Sequence, residues 1–324
     1  MNASMILALP LVWVACAIAG YLYSQQQHIP AAIALAALPA FLLEATLFYV
    51  LGVERLRAHV ERLPRAGIAV GLVLAAIAPY CAASLALGSF DWRALGGIAA
   101  LAAAASFWYV LLPEKPATDV LFLVLLALVY LVKLFHRLYV SPHPKLPLET
   151  LGQLMWIRTG ALALLSVRGV KGVGFGFWPA PREWKIGAMY FALLAPVAAA
   201  LGWWIGFAKP RMPALGWEKA SLLAAATFFG ILWVVALGEE FFFRGLLQQW
   251  VTGWLSSEWA GLLVTSVLFG AVHLWFRQFP NWRFAALAAV AGVFYGLSFR
   301  QAHSIRASMV THALAVTAWR MFFG

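Results

Sequence analysis

The sequence predicts an all-α, polytopic transmembrane helix bundle of about ten or eleven spans. Of its 324 residues, 64% are hydrophobic and 11% are charged, whereas a soluble domain has roughly 25% charged residues. Its apolar segments are continuous, rich in alanine and leucine, and close to the roughly 20 residues that cross a bilayer as a helix. A membrane β-barrel would instead show alternating segments of about ten residues. These observations exclude an ordinary soluble domain and a barrel.

The first part of the chain contains five apolar runs. They are Ser4–Tyr23, Ala31–Gly52, Gly67–Leu87, Ala94–Leu112 and Val120–Leu134. Glu44 lies within the second run, which contains no other charged residue. We expect Glu44 to be a packing residue; a substrate contact and a place in a proton path are the open alternatives.

The next segment, Glu149 to Ser166, is compatible with two structures. It could cross the membrane as a further span, or it could lie at the interface as an amphipathic helix with Trp156 and Arg158. Arg158 would be expensive in the middle of a span. The choice between them also sets the direction in which every later span crosses the membrane. It therefore decides which face of the membrane the second half of the chain opens to.

The second part of the chain contains five further apolar runs. They are Ile186–Phe207, Ser221–Leu237, Glu258–Trp275, Phe284–Leu297 and Ala307–Phe323. We divide the chain into an N-terminal transmembrane region of unexplained role, residues 1–167, and a second transmembrane region, residues 168–324, that carries the chemistry. The sequence has no internal repeat, which makes a transporter built from inverted repeats less favoured.

The formal net charge of +11 comes from basic residues in short loops between the spans. This is the distribution of the positive-inside rule, so we expect the lipid bilayer, and not nucleic acid, as the partner of these residues. The clearest cluster lies between the second and third runs and is predicted to be cytoplasmic. It consists of Arg55, Arg57, Arg62 and Arg65.

Two adjacent glutamates follow the run that ends at Leu237. A charge in hydrocarbon costs at least ~2.5 kcal/mol, so Glu239, Glu240 and the following Arg244 are expected to face a polar cavity or one another. On a helix, Glu240 and Arg244 are separated by one turn and can pair, whereas Glu239 points about 100° away from Glu240. The spacing predicts a structural ion pair and a free carboxylate, Glu239, that can act as a base at the end of its helix.

Two histidines lie on later helices of the same region. A single histidine in a membrane helix is usually a packing residue, but His273 and His312 accompany an acid pair on a third helix. Groups from three helices can converge on one cavity, where they can activate water and stabilise an oxyanion.

These residues resemble the CAAX prenyl endopeptidase and bacteriocin-processing (Abi, CPBP) family of glutamic intramembrane proteases. Three family motifs occur in order: Glu-Glu-x-x-x-Arg at Glu239, Glu240 and Arg244, Phe-x-x-x-His at Phe269 and His273, and the last histidine at His312. The resemblance covers about Arg168 to Gly324, including a lead-in rich in glycine and aromatic residues.

The resemblance implies an intramembrane endopeptidase that cleaves a membrane-associated peptide or protein, in a multi-pass protein of the bacterial plasma (inner) membrane. Glu239 would be the general base for a water that His273 also holds, and His312 would polarise the peptide carbonyl. The residues Glu240, Arg244 and Phe269 would support them. No metal or cofactor is implied, and prenylation of the substrate is not assumed.

One position departs from the family pattern. The family commonly has a small polar residue, often Asn, four positions after the last histidine, where this chain has Val316. Thr311 is the candidate to replace that donor. A catalytically weak binding or peptide-toxin immunity protein, and a proton-coupled transporter, stay open as alternatives, as does zinc ligation by the glutamate and the histidines. No HExxH motif occurs, which disfavours the zinc metalloprotease type.

Overall fold

The structure is a computed structural model that describes residues 3–210 and 216–323. Over these residues the chain forms helices and no strand, apart from one isolated bridge between Pro210 and Phe323. The predicted all-α class is confirmed. The fold divides into two compact units, one ending at Val170 and one beginning at Lys171.

The first unit consists of eight α-helices in its described residues. They are α1 (Ala3–Gln26), α2 (Ala31–Gly52), α3 (Glu54–Val60), α4 (Arg65–Ala86), α5 (Trp92–Leu111), α6 (Pro116–Leu131), α7 (Leu134–Leu138) and α8 (Glu149–Leu162). Helix α8 continues as a π-helical turn over Ala163–Val167. The start of α5 is fixed by Asp91, whose carboxylate accepts the backbone N–H groups of Arg93 and Ala94 at 3.1 and 3.2 Å.

The second unit contains seven α-helices in its described residues. They are α9 (Pro181–Trp204), α10 (Trp217–Gly230), α11 (Leu237–Glu240), α12 (Gln249–Leu255), α13 (Glu258–Val272), α14 (Trp282–Ala302) and α15 (Ile305–Phe322). Two π-helical segments, Ile231–Ala236 and Phe241–Gln248, join α10, α11 and α12 into one helix, Trp217–Leu255. We call this helix the long helix.

Seven helices of the described chain are long and apolar enough to cross a membrane. They are Ala31–Gly52, Arg65–Ala86, Trp92–Leu111, Pro181–Trp204, Trp217–Leu255, Glu258–Trp275 and Trp282–Ala302. Helix α6 is apolar but shorter. The protein is therefore an integral, multi-pass membrane protein, and the count of ten or eleven spans stays a prediction.

The segment from Glu149 to Ser166 runs the length of α4 inside the first unit. At its start, Leu148 lines a small cavity together with Ser84, near the end of α4. At its other end, the Ser166 hydroxyl donates to Glu61 at 3.1 Å, just before α4 begins. Most of its residues are buried. The segment runs antiparallel to α4 within the unit, which favours a span over a helix lying at the interface, and the span itself stays a prediction.

A buried ion pair lies in the middle of this unit. Arg158 donates through Nε and Nη2 to the two carboxylate oxygens of Glu44 at 2.7 and 3.2 Å, and Nη2 also donates to the Ala75 carbonyl at 3.0 Å. The run that contains Glu44 has no other charged residue, and the partner of Glu44 lies 114 positions away in the sequence. The pairing also lowers the free-energy cost of placing Arg158 in the middle of a span, because Glu44 neutralises its charge.

Candidate active site

The two adjacent glutamates lie inside the long helix and not at its end, which corrects the sequence expectation. The helix continues through the π-helical segment Phe241–Gln248 and ends at Leu255. It can continue because the charge of Glu240 is neutralised within the bundle. The residues that follow, Phe241 to Phe243, extend the apolar surface. π-Helical segments inside α-helices are frequent at functional sites.

Glu240 and Arg244 form the ion pair that their spacing predicts. Arg244 Nη1 donates to Glu240 Oε1 at 3.0 Å, and both side chains are fully buried. Arg244 Nη2 donates to the carbonyl of Gly292 at 2.9 Å. A Cβ added at Gly292 would lie 3.2 Å from Nη2, so a side chain there would crowd the guanidinium. The guanidinium also lies over the ring of Phe269, 4.5 Å from its centroid.

His312 lies between the two carboxylates. Its Nδ1 is 2.8 Å from Glu240 Oε1, and its Nε2 is 3.9 Å from Glu239 Oε2. An ionised carboxylate only accepts hydrogen bonds, so the network assigns the proton to Nδ1 and leaves Nε2 facing Glu239. The imidazole stacks on Tyr295 with centroids 4.6 Å apart, and meets Phe269 edge-on at 5.9 Å. Glu240, Tyr295 and Phe269 together fix the orientation of the ring.

Glu239 is the accessible carboxylate of the group. Its side chain is 34% exposed, while that of Glu240 is fully buried. In the described part of the chain, Glu239 Oε2 has no hydrogen-bond partner. The formal charges of Glu239, Glu240 and Arg244 sum to −1.

His273 is the first residue after α13 and begins a 3₁₀ turn, His273–Trp275. Its Nδ1 lies 2.7 Å from the carbonyl of Phe269, which fixes the proton on Nδ1 and leaves Nε2 as an acceptor. Among the described residues, no hydrogen bond or ion pair joins His273 to Glu239 or His312. The Phe269 ring contacts the imidazoles of both histidines, at 4.7 and 5.9 Å, so it lies between them.

The part of the chain that holds this geometry is similar to a known family. Residues 221–318 match the family model of type II CAAX prenyl endopeptidases, Rce1-like. The matched range contains every predicted site residue, and it confirms the resemblance read from the motifs. The lead-in before residue 221 lies outside the match. No curated protein and no solved structure matches the chain.

Within the Rce1-like segment, Thr311 is not available as a second donor to the site. Its hydroxyl is fully buried and lies 3.0 Å from the carbonyl of Gly187 and 3.1 Å from the hydroxyl of Ser298. Thr311 precedes His312 by one position on α15, and its hydroxyl faces α9 and α14 instead of the site. The expectation that Thr311 replaces the polar residue lost at Val316 is therefore wrong.

Two further residues of the Rce1-like segment support the site and were missed by motif analysis. Gly292 provides the carbonyl for Arg244, and Tyr295 stacks on His312. Neither belongs to a motif with a charged or metal-binding signature, and only a contact between helices reveals them. In the described residues, no group of three or more His, Cys, Asp or Glu is arranged to hold a metal ion.

Proposed function

We propose that the protein is an intramembrane endopeptidase that hydrolyses a peptide bond in a membrane-associated peptide or protein. The match to a protease family supports peptidase activity. The observation that carries the finer proposal is the placement of His312 between a buried, paired carboxylate, Glu240, and a partly exposed one, Glu239.

Glu239 is the general base in this proposal. Its carboxylate takes a proton from a water molecule, and the resulting hydroxide attacks the carbonyl carbon of the scissile peptide bond. The Nε2 lone pair of His273 orients that water, because Nδ1 is already committed to the Phe269 carbonyl. General base catalysis of this kind contributes typically ~10²–10⁴-fold in rate.

His312 stabilises the charge that develops on the carbonyl oxygen. As an imidazolium it donates Nδ1–H to Glu240 and presents Nε2–H to the oxyanion. When the tetrahedral intermediate breaks down, protonated Glu239 gives its proton to the leaving amine, which restores the carboxylate. Arg244 holds Glu240 in place throughout, so that the imidazole does not turn.

We further propose that the protein lies in the plasma membrane of a bacterium and that its site opens toward the cytoplasm. In this proposal the segment Glu149 to Ser166 is a span, so that Arg168, at its end, lies on the same face as the cluster around Arg62. Within the second unit, Ile305 N–H donates to the Val173 carbonyl at 2.8 Å, and His312 lies about 10 Å along α15 from Ile305.

The experiment that tests the proposal compares the protein termini in membranes that contain the wild type or Glu239→Gln. New C-termini or N-termini should appear with the wild type only, and their sequences would identify the substrate. Glu218→Gln is the matched control, since Glu218 is an exposed carboxylate on the same long helix. Termini that persist with Glu239→Gln at the wild-type level would contradict the assignment of the base.

A second candidate is a catalytically weak member that binds a peptide or confers immunity to a peptide toxin. Val316 and the committed hydroxyl of Thr311 favour it, because loss of one oxyanion donor costs ~10²-fold or more in rate. Identical termini with the wild type and Glu239→Gln, together with retained peptide binding, would select this candidate. Proton-coupled flux in liposomes would select a transporter instead.

A further inference from the structure

The C-terminal half of the long helix carries polar residues at every fourth position, and most residues between them are apolar. They are Glu240, Arg244, Gln248, Thr252 and Ser256, just after the helix ends, and we call them the polar stripe. Residues four apart lie on the same side of a helix. Glu240 and Arg244 are fully buried, Gln248 is 3% exposed, Thr252 is half-buried and Ser256 is exposed. The polar stripe therefore leads from the candidate site to the surface.

The polar stripe faces α14, in the interior of the second unit. Arg244 Nη2 donates to the carbonyl of Gly292 at 2.9 Å. One turn further along both helices, Gln248 Nε2 donates to the carbonyl of Gly296 at 3.5 Å. A Cβ added at Gly296 would lie 2.7 Å from Gln248 Oε1, so a glycine is needed there. Polar side chains that face the interior of a membrane bundle mark pathways for protons, ions or substrates.

Helix α13 adds a hydroxyl on the face that it turns toward the polar stripe. A Cβ added at Gly261 would lie 2.9 Å from the carbonyl oxygen of Gln248. The Phe269 ring lies 4.5 Å from the guanidinium of Arg244. Thr265 lies four residues from both Gly261 and Phe269, so it occupies the same face of α13. It is 1% exposed.

Four side-chain atoms along this face are buried and have no hydrogen-bond partner among the described residues. They are Glu240 Oε2, Arg244 Nε, Gln248 Oε1 and Thr265 Oγ1. Buried polar atoms are nearly always bonded, either to protein or to ordered water. The hydrocarbon around a membrane protein offers no partner. A buried water makes about two to four hydrogen bonds, and successive turns of the polar stripe provide such partners.

We propose that a file of ordered water molecules runs along the polar stripe, from Thr252 to Glu240, and supplies water to the candidate site. Twelve residues of a helix span roughly 18 Å. Hydrolysis of a peptide bond consumes a water molecule in every cycle, so a site enclosed by helices needs a route by which water is replaced. This use of the water rests on the proposed function, whereas the file itself does not.

X-ray radiolysis of the full-length protein, followed by mass spectrometry, tests the file, because hydroxyl radicals formed from bound water label adjacent side chains. Leu262, which packs against Gly296, and Phe269 are 0% and 2% exposed, so label on them reports internal water. Leu151 is buried in the first unit and should stay unlabelled. Label on Leu262 and Phe269 no greater than on Leu151 would overturn the proposal.

Apolar replacements in the polar stripe should remove this label. Gln248→Leu/Thr265→Val should abolish it at Leu262 and Phe269, because two groups that bind the water are lost. Thr265→Val alone keeps the shape of the side chain and should reduce the label on Phe269. Thr317→Val is the matched control, since its hydroxyl is also buried without a partner in the described residues but lies on α15. Undiminished label in both stripe variants would overturn the proposal.

Cleavage rates of the same samples separate the file from the proposed hydrolysis. Gln248→Leu/Thr265→Val should lower kcat severalfold and leave KM unchanged, because the file supplies water and does not bind the substrate. Label without cleavage in the wild type would support the file and contradict the proposed hydrolysis. An unchanged kcat in the double variant, with the label lost, would overturn the role of the file as a water supply.

Discussion

Glu239 and Glu240 have different surroundings, although they are adjacent in the sequence. Glu240 Oε1 accepts from Arg244 and from His312, at 3.0 and 2.8 Å, and the side chain is buried. Glu239 is one-third exposed, and its Oε2 lies 3.9 Å from His312 Nε2 without a hydrogen bond. Glu240 therefore joins Arg244 to His312, whereas Glu239 is the partly exposed carboxylate of the two.

Substitution of these residues should separate chemistry from folding. Glu239→Gln should lower the cleavage rate at least ~10²-fold with an unchanged unfolding temperature, because it removes only the base. Arg244→Ala should lower the unfolding temperature too, since breaking a buried pair on one side costs ~3–5 kcal/mol. Thermal unfolding of both purified variants measures the difference. An Arg244→Ala protein as stable as the wild type would remove the structural role of the pair.

Removal of metal ions should leave cleavage unchanged. The Nδ1 atoms of His312 and His273 are occupied by Glu240 and by the Phe269 carbonyl, and no three-residue metal cluster occurs in the described residues. Cleavage rates measured with and without EDTA or phenanthroline test this prediction. Activity that is lost in the chelator and restored by zinc would make the glutamate and histidines ligands, and the ion would then activate the water.

At the scale of elements, the buried pair Glu44–Arg158 connects α2 to α8. Glu44→Gln alone should lower stability by ~3–5 kcal/mol, because it leaves Arg158 buried without its counter-charge. The double variant Glu44→Leu/Arg158→Met should recover most of that loss, since apolar replacements of a buried pair are often neutral. Unfolding temperatures of the single and double variants check this. A double variant no better than Glu44→Gln would argue against a purely structural pair.

Sequence patterns predicted the elements better than their contacts. The run Ala31–Gly52 has the bounds of α2, and the four-residue spacing of Glu240 and Arg244 gives their ion pair. Both depend on local periodicity. The partner of Glu44 could not be predicted, because periodicity says nothing about residues 114 positions apart. The position of the two glutamates inside a continuing helix was missed for a similar reason, since the contact of Glu240 with His312 joins two different helices.

The topology of the whole molecule can be tested, because the proposed orientation places the loop at Pro144 outside the cell and the loops at Lys171 and Gln301 in the cytoplasm. In a background without Cys16 and Cys81, Pro144→Cys should react with an impermeant maleimide on intact cells. Lys171→Cys and Gln301→Cys should react only after lysis. All three positions are exposed, so access and not burial decides the result. Labelling of Lys171→Cys from outside would reverse the proposed orientation and direct the substrate search to exported proteins.

The separation of Glu44 and Arg158 also has a consequence for biosynthesis. A ribosome that adds roughly 5–20 residues per second needs roughly 6–23 s to extend the chain by the 114 residues that lead from Glu44 to Arg158. During that interval α2 enters the membrane with a carboxyl group that has no counter-ion. The carboxyl must stay protonated or remain near the insertion machinery until α8 emerges. A nascent chain that stops before residue 158 therefore contains an incomplete first unit, and quality-control proteases can recognise it.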